Sequence, residues 1–235
     1  MKIAVFDIES KELVADWNQP HKAGLACAAL WTSWQGGKEG RLQVFDEEGI
    51  GRLIRNLQAA DLVVTYNGIA FDVPFLEGLT GESLRLVQFD LLDSIKIAAG
   101  RRYSLEDVAR ATLGRGKGGK GSAAPTLYKQ SRFADLHSYC LEDVVLTRDL
   151  FLFARSFGYV LIPGEKAAAQ VFLPTSSKAL HHSNERAKNN RAPASDRQVR
   201  YLRTLKGDQS WRPIPGFTKE QAAREIDHII KKKEH

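Results

Sequence analysis

The chain opens on an apolar run, Lys2-Ile3-Ala4-Val5-Phe6-Asp7-Ile8-Glu9, which predicts a buried β-strand. Gly24–Trp31 reads as a second strand and Arg41–Phe45 as a third. Asp46–Ala59 carries Ile50, Leu53, Ile54 and Leu57 at helical spacing. Asp61–Tyr66 is a short apolar strand that ends at Asn67-Gly68, a turn signal. Asp72–Leu79 predicts a short helix with Pro74 in its first turn, where proline is tolerated, and Val87–Leu91 a further strand. Ser104–Leu113 predicts a helix with Ser104 as N-cap and Gly114 as its stop. Arg115–Ala124 breaks all periodicity with glycines and alanines among basic residues. Arg132–Phe157 is the longest helical pattern, and Tyr159–Pro163 a short extended end. Strands in a run, then strands alternating with helices, predict an α/β domain: a mixed sheet flanked by helices.

Periodicity is lost again over residues 164–194, which are rich in Ala, Ser, Asn and Lys and read as a flexible linker. The pair His181-His182 lies there without further ligands nearby, too little for a metal site. In residues 195–235, Ser195-x-x-Gln198 and Thr218-x-x-Gln221 both have capping-box spacing. Val199, Leu202 and Leu205 give one helix an apolar face, and Ala222, Ile226, Ile229 and Ile230 give another. Trp211 and Phe217 lie at the connection. The expectation is a domain over 1–163, a linker over 164–194 and a small basic two-helix hairpin over 195–235.

Composition narrows the setting. No apolar run approaches the roughly 20 residues that span a bilayer, and the opening strand does not resemble a signal peptide. Cys27 and Cys140 sit inside apolar patterns, without metal-ligand spacing. A soluble protein of the reducing cytoplasm, with no membrane partner, is expected. The formal charge of +6 is uneven: residues 164–235 hold 15 Lys+Arg against 8 Asp+Glu, while residues 1–163 hold 19 against 20. The basic excess therefore belongs to the tail, which suits an anionic partner such as nucleic acid or a solvated surface equally.

Three acidic motifs point to chemistry. In a strand, residues two apart share a face, so Asp7 and Glu9 project side by side. Packing gives no reason for paired like charges at the end of a buried strand, whereas a divalent metal removes both the repulsion and the desolvation cost. Asn67-Gly68-Ile69-Ala70-Phe71-Asp72 follows the buried strand and places Asp72 at a helix start, where a simple capping role is the competing reading. Tyr139 and Asp143, four apart in the long helix, face the same way.

Taken in order, D-x-E, N-x-x-x-F-D and Y-x-x-x-D resemble the three motifs of the DEDD superfamily of 3′→5′ exonucleases, over about residues 1–163. One branch of that family has a histidine five residues before the last aspartate. Here that position is Ser138, with His137 out of register, while Tyr139 stands where the other branch has tyrosine. The chain is therefore similar to the tyrosine subclass. The resemblance implies a ribonuclease H-like fold and a nuclease that releases nucleoside 5′-monophosphates from single-stranded DNA or unpaired 3′ ends, work of the kind used in DNA repair. It also implies two divalent cations, Mg²⁺ or Mn²⁺, about 4 Å apart and held by hard oxygen ligands. Carried over residue by residue, Asp7, Glu9 and Asp143 would hold one cation, and Asp7 would bridge to the second with help from Asp72. Tyr139 would orient the attacking water. It is not assigned the role of base, because an ordinary phenol pKa near 10 makes a poor base at neutral pH.

Asn67 and Phe71 are candidates for positioning the terminal nucleotide, with a core position the alternative for Phe71. Asp90 is set aside as structural. Gly114–Ser122 nearly spells a P-loop, but Gly121 occupies the Ser/Thr position, no strand precedes it and Pro125 follows. A basic loop contacting phosphates through Arg115, Lys117, Lys120, Lys129 and Arg132 is the better reading. The main alternatives are an exoribonuclease of the same fold and a non-catalytic adaptor for a helicase or polymerase. Arg197, Arg200, Arg203, Lys206 and Lys231-Lys232-Lys233 mark the tail as a phosphate-contacting or protein-docking module. Deletion of residues 164–235 is expected to weaken nucleic-acid binding and flatten its dependence on salt. An unchanged salt slope in a binding titration would count against a role for the tail in holding nucleic acid.

Overall fold

Alternation along the first strand, β1 (Ile3–Ser10), divides the core in two. Ile3 and Val5 point into one apolar cluster, and Ala4, Phe6 and Ile8 into a second on the opposite face of the sheet. The computed structural model describes residues 1–34, 38–116, 123–164, 169–172 and 194–213, together with 218, 219, 221, 222, 225, 226 and 229. β1 is central in a five-stranded sheet of order β3-β2-β1-β4-β5, built with β2 (Leu25–Ser33), β3 (Arg41–Phe45), β4 (Leu62–Thr65) and β5 (Gln88–Asp90). β1–β2 and β2–β3 are antiparallel hairpin-type pairings, whereas β4 and β5 run parallel to β1. The sheet is thus mixed, and helices cover both faces, which makes the fold α/β as the pattern of elements predicted.

Two helices, α1 (Ile50–Gln58) and α2 (Asp72–Thr80), cover the face of Ala4 and Phe6 through Leu53, Leu57, Val73, Phe75 and Leu76. The other face is covered by α3 (Leu91–Ala99), α4 (Leu105–Leu113), α5 (Ala123–Lys129) and α6 (Phe133–Phe157). α6 is the long element, and Leu136, Cys140, Val144 and Leu150 lay its apolar stripe across the sheet. Ser104 caps α4 by accepting from the Asp107 amide at 3.0 Å, and Gly114 ends it in a left-handed conformation.

Several predicted boundaries shift for physical reasons. The first helix starts at Ile50 rather than Asp46, because the Asp46 carboxylate accepts from the Gly49 amide at 2.9 Å and closes a turn ahead of it. The strand predicted over Val87–Leu91 ends at Asp90, whose side chain accepts from the Asp93 amide and starts α3. α5 contains Pro125 in its first turn, where a missing amide costs nothing. Within the stretch expected to be linker, Ala169–Phe172 is instead a strand, β7, paired antiparallel with β6 (Tyr159–Ile162). The rest of that stretch, with His181 and His182, lies outside the described residues apart from Gly164 and Ala194.

In the tail, α7 (Asp196–Lys206) begins with a complete Ser195–Gln198 capping box. The Thr218 and Gln221 side chains bond reciprocally with each other's amides, and the described residues from 219 to 229 are helical. Leu202, Ala222, Trp211, Ile226 and Ile229 share one small core. Burial of Leu150 on the sheet-facing side of α6 gives a direct check on this architecture. Leu150→Ala is expected to lower stability by about 2–5 kcal/mol, measured as a shifted urea midpoint at unchanged slope.

Candidate active site

The same alternation that sends Ile3 and Val5 under α6 sends Asp7 and Glu9 out along that face, beyond the end of the apolar run. α6 crosses there, and Tyr139, Cys140 and Asp143 are its buried residues at the crossing. Asp7, Glu9 and Asp143 each offer a carboxylate oxygen, and the three oxygens lie within 4.8 Å of one another. Three carboxylates so close are a hard-oxygen donor set, the kind that suits Mg²⁺, Mn²⁺ or Ca²⁺ rather than soft metals. The residues therefore fit a divalent cation. Among the described residues this is the one group of three or more acidic, histidine or cysteine side chains with that proximity.

Asp72 joins from the neighbouring loop. β4 stops at Thr65 and its pairing with β1 reaches only Val5, so on that side β1 has no strand beside it further on. There the Asp72 carboxylate takes the place of a strand carbonyl, accepting from the Ile8 amide at 2.8 Å. Asp72 opens α2, yet the helix has no side-chain cap; the carboxylate turns to β1 instead. It is 2% exposed. Burial raises its pKa to about 8; the Ile8 amide opposes the shift, and the charges of Asp90 and Asp143 add to it.

Asp90 has a different task. Its carboxylate accepts from the amides of Asn67, Ile69 and Asp93 and from the Thr65 hydroxyl. It thereby pins the 67–69 turn onto β5 and holds Asn67 with a positive φ of 76°. Gly68 is required in that turn, since a Cβ there would stand 2.5 Å from the Thr65 side chain. Asn67 in turn accepts from the Arg102 guanidinium at 2.8 Å, beside a cleft lined also by Ile69, Ala70 and Lys96. Burial pushes the Asp90 carboxyl up as well.

The other sequence-derived candidates separate into groups. Tyr139 is buried one helical turn before Asp143. Phe71 is half-buried between the rings of Trp17 and Phe75. Arg132 is exposed at the start of α6 and pairs with Asp135 at 2.8 Å. Lys117 and Lys120 lie outside the described residues. Arg115, expected on phosphates, is instead paired with Asp149. In the tail, Lys206 pairs with Glu225 and Arg203 donates to the Trp211 carbonyl, so these two cations are engaged within the module. Cys140 was read only as an apolar core residue. Its thiol stands 3.6 Å from the Asp7 carbonyl and 3.9 Å from the Asp7 carboxylate, and burial pushes its pKa up. Nothing in its local sequence signals that contact.

Comparison with known proteins agrees with this topology. A family model described as RNase_H superfamily matches residues 4–152, more than half of the chain. The chain belongs to the RNase H superfamily. The match spans β1 through most of α6, and so takes in all four acidic residues, Asp7, Glu9, Asp72 and Asp143. Membership supports a nuclease, a phosphodiester hydrolase that binds nucleic acid. No curated protein matches the chain significantly. No described helix is long and apolar enough to cross a membrane.

The raised pKa of Asp72 has a consequence for stability. Between about pH 4 and about pH 8 the folded, metal-free protein keeps a proton that the unfolded chain releases. Stability attributable to Asp72 is therefore full below the unfolded pKa and declines as pH rises towards 8. Melting temperatures in chelator are expected to fall across that range, less steeply in Asp72→Asn. Identical pH slopes for the two proteins would show that Asp72 is ionised in the fold.

Proposed function

We propose that the chain is a metal-dependent 3′→5′ exonuclease of the tyrosine subclass, acting on single-stranded DNA or unpaired 3′ ends and releasing nucleoside 5′-monophosphates. The observation that carries this reading is the meeting of Asp7, Glu9 and Asp143 oxygens within 4.8 Å, from two elements far apart in sequence. Asp7, Glu9 and Asp143 would hold one Mg²⁺ or Mn²⁺. Asp7 would be shared with a second, and Asp72 would assist it. Bound there, the cations supply positive charge that favours a deprotonated water and stabilises the leaving oxygen.

The chain's own groups do the rest. Tyr139, one turn from Asp143, directs its hydroxyl to orient the attacking water. Asp72 fixes the end of β1 through the Ile8 amide, and so sets the spacing of Asp7 and Glu9 on either side of it. Asn67, held in its left-handed turn by Asp90, presents its side chain with Arg102 beside the terminal nucleotide. Arg132 at the start of α6 stands where the strand's phosphates would pass. The chemistry belongs to residues 1–163, and the basic module over 195–235 would raise the local concentration of substrate.

An RNA-trimming enzyme of the same fold would use these carboxylates identically, and the two differ only in contacts to the 2′-hydroxyl. A non-catalytic adaptor for a helicase or polymerase would be expected to have shed its acidic residues; Asp7, Glu9, Asp72 and Asp143 are all retained. The test is digestion of 3′- and 5′-labelled DNA and RNA oligonucleotides with Mg²⁺. Wild type is expected to shorten single strands from the 3′ end. Asp7→Ala and Asp143→Ala are each expected to lose on the order of 10²–10³ or more in rate, and Tyr139→Phe to lose less. Digestion that survives both carboxylate substitutions would contradict the proposal.

A further inference from the structure

The loop that leaves β1 directly after Glu9 and Ser10 carries large exposed apolar side chains. Trp17 is 48% exposed, and Leu13 on the same loop 73%. The indole meets the Phe71 ring, with centroids 5.9 Å apart and planes tilted by 59°. Phe71 in turn meets the fully buried Phe75 edge-on at 5.6 Å. The three rings form a ladder from the core to the surface, and Trp17 is its outer rung. Phe71 is engaged by Trp17 and Phe75, which leaves Trp17 as the exposed ring of the three.

The position of this ladder is what gives it meaning. Phe71 directly precedes Asp72, and Asp72 is bonded to the Ile8 amide between Asp7 and Glu9. The indole is thus linked to the carboxylate group through Phe71 and Asp72. The loop that carries it is built rather than loose. Lys11 and Glu12 donate to the carbonyls of Gly24 and Ala23, closing its base. Asp16 accepts from the Asn18 amide at 2.9 Å, and Gln19 donates back to the Asp16 carbonyl. His21 packs so closely on Gly78 of α2 that a Cβ there would collide with its ring. Trp17 is thus held against Phe71 while about half of its surface stays exposed.

We infer that Trp17 stacks on a base of the nucleic-acid strand whose end lies at the carboxylates, making it a positioning residue for a single strand. The inference rests on the nuclease reading. It deepens that reading by naming a residue that positions the strand. Every base has a π face, so such a contact is indifferent to sequence. Within a duplex both faces of a base are already covered by neighbours, so the contact favours unpaired ends. A protein-docking use of the same patch would give no dependence on bases.

The experiment compares wild type, Trp17→Ala and Trp17→Phe in two assays. Binding of 5′-fluorescein-labelled single-stranded DNA is followed by anisotropy with chelator present, so that no bond is cut. One strand is ordinary, and the other carries abasic residues at its last three 3′ positions. Trp17→Ala is expected to weaken binding of the ordinary strand about tenfold, Trp17→Phe much less, and the abasic strand is expected to bind all three proteins alike. Equal binding of the ordinary strand by wild type and Trp17→Ala would overturn the inference, as would an equal loss on both strands. Digestion with Mg²⁺ is scored separately, where the substitution is expected to raise KM rather than lower kcat. A wild type that binds with this base dependence yet cuts nothing removes the exonuclease reading and leaves the stacking contact. A wild type that cuts, with no base dependence in either assay, does the reverse.

Discussion

Like charges brought together at the end of a buried strand are the constraint on which the rest of this structure turns. The two-residue period of β1 puts Asp7 and Glu9 on the face that α6 covers, and α6 adds Asp143 to them. Like charges this close repel one another. A divalent cation offsets that repulsion, and its hard-oxygen preference matches the donor set. The sheet order serves the same end: parallel neighbours on one side of β1 put the ends of β1, β4 and β5 together, so that the loops leaving them surround the carboxylates.

Two buried aspartates nearby show how one residue type is put to opposite uses. Asp90 accepts three amides and a hydroxyl, which satisfies it fully within the protein and spends it on shaping the Asn67 turn. Asp72 accepts one strand amide and otherwise faces the charges of its acidic neighbours. Its bond to the Ile8 amide holds the end of β1 in place. A capping role, the simplest account of an aspartate at a helix start, is taken by Asp90 alone, which caps α3 while also holding the turn; Asp72 bonds to β1.

The strongly periodic elements were legible from residue pattern alone, because the central strand and α6 are patterned by burial on defined faces. Elements held by a few tertiary contacts were not. β7 is four residues with no period of its own and exists by pairing with β6. α5 begins beside a glycine-rich basic run, and Pro125 reads as a breaker until its place in the first turn is known. α3 was concealed because Leu91 and Leu92 continue an apolar strand pattern, and only the bond from Asp93 to Asp90 shows that the chain has turned. At the site, the acidic residues could be picked out by spacing. Trp17 and Cys140 could not, since nothing local says that one packs on Phe71 and the other against Asp7. The pairing of Arg115 with Asp149 and of Lys206 with Glu225 shows the converse, that basic residues grouped in sequence can be consumed internally.

The central claim is that residues from β1 and α6 bind the same ion. Crystals of the protein soaked in Mn²⁺ and measured at the manganese absorption edge test it most directly. The account predicts an anomalous peak within bonding distance of the Asp7, Glu9 and Asp143 carboxylates. Manganese found only elsewhere on the molecule, with those three side chains bare at saturating metal, would contradict it.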